Sequence, residues 1–189
     1  MTPSSSSQSQ STEQHRADAQ ASAHHAPINV AVLTVSDTRT NETDKGGQLI
    51  QELLTDGEES PFYIADYAIV KDDPSAIAAR LDGWITDSRV NVMITTGGTG
   101  ISRRDTTIEV VERKITSPLP GFGELFRMLS WHEVKAAAML SRAVAGLIAP
   151  SGQDDTFIFA LPGSTNAIRL AMTQLIIPEL PHLIWERSR

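Results

Sequence analysis

Apolar residues along this chain fall into short continuous runs that alternate with stripes of helical spacing. The run Ile28-Asn29-Val30-Ala31-Val32-Leu33-Thr34-Val35 is apolar on both faces, as in a central strand of a parallel sheet. It gives way to the polar loop Ser36-Asp37-Thr38-Arg39-Thr40. Thr43 or Asp44 can then cap a helix that carries Leu49, Ile50, Leu53 and Leu54 on one face and ends at Asp56-Gly57. Residues 62–70 predict a second strand, and Lys71-Asp72-Asp73-Pro74 opens a second helix with proline in its first turn. That helix shows the stripe Ile77, Leu81, Trp84 and Ile85. A third strand, 90–96, runs into Gly97-Gly98-Thr99-Gly100, and Ile108, Val111 and Ile115 give the next helix its face.

Beyond Pro118 and Pro120 the pattern predicts a short helix over 121–130 and another over 131–139. Residues 141–148 and 156–161 read as a two-stranded hairpin across a polar turn. Leu161-Pro162-Gly163-Ser164-Thr165 is a further strand-to-helix corner, and Pro178 stops or kinks the last helix. Alternating strands and helices predict an α/β sandwich around a mostly parallel sheet. Right-handed crossovers then place the loops at 36–45, 71–74, 97–105 and 162–165 on one sheet edge, where open α/β sheets bind ligands.

Composition narrows the picture. The chain has 189 residues, enough for one domain with a sizeable core, and a net charge of −7. Such a surface does not attract nucleic acid or an anionic membrane, so an anionic substrate needs a local positive pocket. No apolar run approaches the roughly 20 residues that span a bilayer. There are no cysteines, which excludes disulfides and Cys-ligated zinc and suits a reducing cytosol; the expected location is cytoplasmic. Residues 1–26 are rich in Ser, Gln, Ala and His and read as a disordered polar tail, so the folded domain is 27–189. Its His15, His24 and His25 read as solvated, with metal binding as the alternative.

The chemistry concentrates at the glycine corner. Three glycines in four residues let backbone N–H groups converge on an anion, and a helix start just beyond adds its positive end. Arg103, Arg104 and Arg127 can bind phosphate or stand in solvent. Asp72 and Asp105 come from different corners, and two carboxylates beside phosphates can hold Mg²⁺. Equally, Asp72 and Asp73 can be an N-cap pair and Asp105 the cap of the following helix. Ser36, Ser141 and Ser164 can each donate to phosphate or cap a turn. His132 and His182 lie outside the corners and read as ordinary surface or core residues.

Five segments occur in order: Thr34-Val35-Ser36-Asp37-Thr38-Arg39, the stretch from Thr95-Thr96-Gly97-Gly98-Thr99-Gly100 to Arg104-Asp105, Pro120-Gly121-Phe122-Gly123-Glu124, Met139-Leu140-Ser141-Arg142, and Leu161-Pro162-Gly163-Ser164-Thr165. Together they resemble the MoaB/MogA family of molybdenum cofactor biosynthesis proteins, and 122–130 is most similar to its MoaB branch. The match spans about 28–180. The resemblance implies a three-layer α/β/α domain with a five-stranded, mostly parallel sheet in the order 2-1-3-5-4, strand 141–148 being an antiparallel edge. It implies adenylylation of molybdopterin: AMP from ATP is joined to the terminal phosphate, pyrophosphate is released, and Mg²⁺ is the cofactor. It also implies self-association as a trimer or hexamer, and a molybdenum-insertion enzyme as a downstream partner.

Carried over by position, the catalytic and metal-holding residues are Asp72 and Asp105. The substrate-binding set is Ser36, Asp37, Thr96, Gly97, Gly98, Thr99, Gly100, Gly121, Glu124, Ser141, Pro162, Gly163 and Ser164. Two other readings use the same corner: a non-catalytic molybdopterin carrier, and a nucleotide-sugar or pyrophosphate hydrolase.

Overall fold

Strand β1 (Ile28–Val35) is an interior strand of the sheet, and its alternating side chains feed two separate cores. Val30 and Val32 point to one face, Ala31, Leu33 and Val35 to the other, and all five are buried. The remaining strands are β2 (Phe62–Val70), β3 (Val92–Thr96), β4 (Ser117–Pro118), β5 (Val144–Ile148) and β6 (Thr156–Leu161). The computed structural model describes residue 15 and residues 27–188 apart from 58 and 153. The tail expected over 1–26 lies outside the described residues except at His15. That ring rests 5.5 Å from the Trp185 ring rather than standing free in solvent.

The sheet order is β2-β1-β3-β6-β5-β4. β1, β2, β3 and β6 are mutually parallel, and β5 runs antiparallel to β6. The expected order 2-1-3-5-4 is present, with one strand more than the five expected. Ser117–Pro118 pairs antiparallel with Leu147 and Gly146 and takes the edge expected for 141–148. Two residues containing a proline carry no strand signal in sequence, and a strand lacking one N–H is tolerated at an edge. Flanking bonds hold it there: Thr116 N donates to Leu147 O (2.9 Å) and Leu119 N to Ala145 O (2.8 Å).

Helices cover both faces, which makes the three layers. α1 (Lys45–Thr55), α4 (Pro120–Val134), α5 (Thr165–Ala171) and α6 (Ile177–Ser188) bury Ile50, Phe126, Ile168 and Leu180 on one side. α2 (Pro74–Ile85) and α3 (Thr107–Lys114) bury Ile77, Leu81, Trp84 and Val111 on the other. The two helices expected over 121–139 are one 15-residue helix followed by a 3₁₀ segment, Lys135–Leu140. Nothing in the sequence breaks the helix at 130; the break comes at Lys135, whose φ of 52° is left-handed. Pro178 does not stop the last helix. A π turn at Met172–Ile176 lets Ile177 N donate to Met172 O, so the bonding ladder has already shifted where Pro178 lacks its donor. No helix among the described residues is long and apolar enough to cross a membrane.

Candidate active site

Parallel register fixes where the loops meet. Val35 pairs with Val70, Thr34 with Thr96, and Thr96 with Leu161, so β1, β2, β3 and β6 end on one rim. Direct bonds tie the corners together: Ser36 N donates to Val70 O (2.8 Å), Gly97 N to Leu161 O (3.2 Å) and Thr96 Oγ1 to Pro162 O (3.2 Å). Gly97 (φ 90°) and Gly98 (φ 61°) take left-handed backbone that L side chains rarely adopt. A side chain at Gly97 would run into the Val35 carbonyl. One at Gly98 would strike Thr107 Oγ1 and come within 2.8 Å of Asp72 Oδ2. The bare backbone therefore leaves a niche lined by polar atoms, and the buried Thr107 hydroxyl has no hydrogen-bond partner.

Three carboxylates border this niche. Asp73, not Asp72, caps α2, accepting from Ala76 N at 2.8 Å. That leaves Asp72 to reach across to the start of α3, where its Oδ1 accepts from Thr106 N (3.3 Å) and Thr106 Oγ1 (3.1 Å). Its own N–H donates to Asp37 Oδ1 (3.3 Å). Asp105 does not cap α3, whose cap position is Thr106; it accepts from Ser102 N (3.0 Å) and closes the 102–105 turn. Burial pushes the Asp72 carboxyl above its ordinary value, the Thr106 bonds pull it back, and the charges of Asp105 and Asp37 raise it further. Among the described residues, Asp37, Asp72 and Asp105 do not bring one oxygen each within 4.8 Å of one another. They form an open acidic patch rather than a closed cage. Mg²⁺ suits such a patch, because it takes one or two protein carboxylates and fills its octahedron with water and substrate phosphate. The all-oxygen donor set and the unpartnered Thr107 hydroxyl fit that ion.

Two hollows flank the glycine corner. One, of about 420 Å³, is lined by Thr34, Ser36, Arg39, Lys45, Gly97 and Ser164, among others, and offers two cations to an anion. Its floor is a buried network that the sequence reading left as one of two possible caps. Asp44 Oδ2 accepts from Thr34 Oγ1 (2.6 Å) and Tyr67 OH (2.5 Å), and Oδ1 accepts from Gly47 N (3.0 Å). Burial, then the Asp44 carboxylate, drives the Tyr67 hydroxyl far above the usual phenol range, so it stays a donor. The second hollow, about 680 Å³, lies toward α4 and holds Glu124, Arg127, Ser141 and Arg142.

Arg142 links that second hollow to the loop. Its Nε donates to Thr99 O (2.9 Å), one terminal nitrogen to Glu109 Oε1 (2.5 Å), and the other to Gly100 O and Asp105 O. The guanidinium thus satisfies three loop carbonyls at once and ties the loop to Glu109 on α3. The same bond holds the Glu109 carboxyl below its ordinary value. In sequence Arg142 is only the neighbour of Ser141; its four partners lie 33 to 43 residues away.

Residues 31–182 match a family model, MoCF_biosynth, described as "Probable molybdopterin binding domain". Molybdenum cofactor biosynthesis protein B of Staphylococcus epidermidis is 55% identical over 165 residues, covering 86% of this chain and 90% of that one. The chain belongs to the MoCF_biosynth family. A crystal structure of a molybdenum cofactor biosynthesis protein B superposes with a TM-score of 0.79 at 44% identity, over 86% of this chain and 97% of that one. The tungsten cofactor synthesizing protein MoaB from Pyrococcus furiosus superposes with a TM-score of 0.76 at 36% identity, over 86% and 98%.

On this MoCF_biosynth fold the expected site residues divide. Ser36, Thr96, Gly97, Gly163 and Ser164 line the smaller hollow; Glu124 and Ser141 line the larger one. Asp37 borders a shallow depression with Arg39 and Lys71. Ser36 and Ser164 are also local caps: Ser36 Oγ accepts from Thr38 N and Arg39 N, and Ser164 Oγ from Ala167 N. Thr99 is buried, and Gly100 leaves room for Asp105, whose Oδ2 would lie 2.7 Å from a side-chain carbon there. Pro162 contributes its carbonyl to Thr96. Gly121, in the first turn of α4, faces open space and lines neither large hollow. The family corner is easily damaged: Gly97→Ala should lower stability by about 1–3 kcal/mol through a forced left-handed alanine, read as a lower Tm. Gly121→Ala is the control and should leave Tm nearly unchanged.

Proposed function

We propose that this protein of the molybdenum cofactor pathway transfers AMP from ATP to the terminal phosphate of molybdopterin. One observation carries the reading. The left-handed Gly97-Gly98 corner opens a polar niche directly against Asp72, with Asp37 and Asp105 adding charge beside it, Arg39 and Lys45 in the smaller hollow and Arg127 in the larger.

In the reaction, a terminal phosphate oxygen of molybdopterin attacks the α-phosphorus of ATP. A new O–P bond forms, the bond from that phosphorus to the bridging oxygen breaks, and its electrons leave with pyrophosphate. Both partners are polyanions, so the protein's task is positioning and charge neutralisation rather than covalent catalysis. Asp72 and Asp105 would hold Mg²⁺, which supplies positive charge to the transferring and leaving oxygens. Arg39 and Lys45 draw phosphate into the smaller hollow, and Arg127 does so in the larger. Arg142 keeps the glycine loop in register between them. The test is incubation with molybdopterin, ATP and Mg²⁺, with adenylylated pterin and pyrophosphate as the expected products. Tight pterin binding without product would replace this reading with the carrier, and AMP release from ATP without pterin with the hydrolase.

Self-association belongs to the same proposal. Leu125, Met128, Trp131, Val134, Met139 and Leu140 are all exposed on α4 and the 3₁₀ segment after it. Apolar side chains gathered on one element mark an interface in search of a partner, and a second copy is the simplest occupant. Met128→Glu with Trp131→Glu should reduce the assembly to a monomer in light scattering. A monomeric parent protein, or an assembly unaffected by both substitutions, would remove this interface.

A further inference from the structure

We propose that His15, His182 and Glu186 form a binding site for a divalent transition metal, with zinc the best match, that ties His15 to the last helix. The three residues each offer one ligand atom, and these atoms lie within 4.8 Å of one another. His182 and Glu186 stand one turn apart on α6, so they share a face. His182 Nε2 is 3.5 Å from Glu186 Oε1, and His15 Nδ1 is 3.7 Å from the same oxygen. A tetrahedral zinc ion with ligand bonds of about 2.0–2.1 Å sets neighbouring ligand atoms about 3.4 Å apart. Two of the three edges already have nearly that spacing, and closing the third asks only for a small movement of His15.

The support around His182 points the same way. One turn earlier on the helix, Glu179 Oε2 lies 3.3 Å from His182 Nδ1. A carboxylate on the far ring nitrogen fixes the proton there and turns the other nitrogen's lone pair outward, as second-layer partners of metal-bound histidines do. That other nitrogen, Nε2, is closed to solvent and makes no hydrogen bond. A metal ion would satisfy it. The Trp185 ring packs beside both imidazoles, 5.5 Å from His15 and 6.3 Å from His182, and limits their movement. Two imidazoles and a carboxylate favour zinc, cobalt or nickel over magnesium or calcium, and three protein ligands leave a fourth position for water.

This site is separate from the acidic patch. Arg187, one residue beyond Glu186, pairs with Asp155 just before β6 begins, at the opposite rim of the sheet from the Leu161 corner. The six residues of β6 put roughly 20 Å of strand between the two rims. His15 and Glu186 fall outside the 31–182 family match, and His182 is its last residue.

The test is metal binding by the full-length protein, using zinc in calorimetry and Co²⁺ in visible absorption. One equivalent should bind, with a tetrahedral cobalt spectrum and a higher Tm. His15→Gln, His182→Gln and Glu186→Gln should each weaken binding by at least about tenfold and abolish the Tm gain, and Glu179→Gln should weaken it by about tenfold. His15→Gln cannot disturb the packed core, so its result stands even where a helix variant folds poorly. The Asp72→Asn, Asp105→Asn double variant should keep the full equivalent, which separates this site from the proposed reaction. No bound metal, or binding unaltered in His15→Gln and His182→Gln, would overturn the assignment.

Discussion

Asp105→Asn and Asp72→Asn should each cut the rate of adenylyl transfer roughly 1,000-fold, about 4 kcal/mol of transition-state stabilisation, while the fold survives. Asparagine keeps the size of the carboxylate and, at 72, its acceptor for Thr106, but cannot neutralise a bound cation. The loss should therefore fall on kcat more than on KM. The same change at Asp72 should stabilise the protein. Its carboxyl titrates above its ordinary value because burial and the charges of Asp105 and Asp37 disfavour the ionised form. The folded state therefore holds that proton more tightly than the unfolded chain does, and wild-type stability falls as pH rises through the Asp72 pKa. Asp72→Asn lacks that slope. Its Tm should exceed the wild type's at pH 7, and the advantage should vanish in acid. Unchanged turnover in both variants would end the catalytic assignment; a variant less stable at pH 7 than in acid, relative to wild type, would end the electrostatic one.

Arg142→Ala carries the second large effect. It removes a guanidinium bonded to three carbonyls and one carboxylate, and leaves Glu109 without its cation. The side chain is 29% exposed, so water replaces part of what is lost. A cost of about 2–4 kcal/mol follows, read as a Tm drop of roughly 5–10 °C. Turnover should fall about 100-fold, because a loop displaced by about 1 Å misaligns the reacting groups. Arg142→Lys separates fork from charge. A lysine keeps the cation but cannot bridge Thr99, Gly100 and Asp105 together, so stability should recover more than rate. Glu109→Gln leaves the three carbonyls held and should cost much less of either. Equal rates in Arg142→Lys and wild type would show that charge alone suffices.

The convergence of the four corners was legible in the sequence because it needs little information. Continuous apolar runs mark buried parallel strands, and parallel strands end on the same side. Gly97 and Gly98 were legible for a related reason, since only glycine relaxes into the backbone the turn requires. What stayed hidden were residues defined by a distant partner. Asp72 reads in sequence as half of a capping pair with Asp73; only the approach of Thr106, 34 residues on, shows that the two divide the work. Arg142 was missed in the same way, and of Asp44 only the capping role was legible, not its bonds to Thr34 and Tyr67. The short edge strand Ser117–Pro118 was missed because its pairing is supplied wholly by β5.

By itself, then, the sequence determined the layered α/β plan, the loop at the glycine corner and the acidic residues available to it, because periodicity and backbone permissiveness are local properties of the chain. The tertiary structure decided which carboxylate faces the niche, which arginine braces the loop, and how His15 meets the last helix. Those are set by contacts across tens of residues, where a hydrogen bond or ion pair depends on ångström-scale placement that no local pattern encodes.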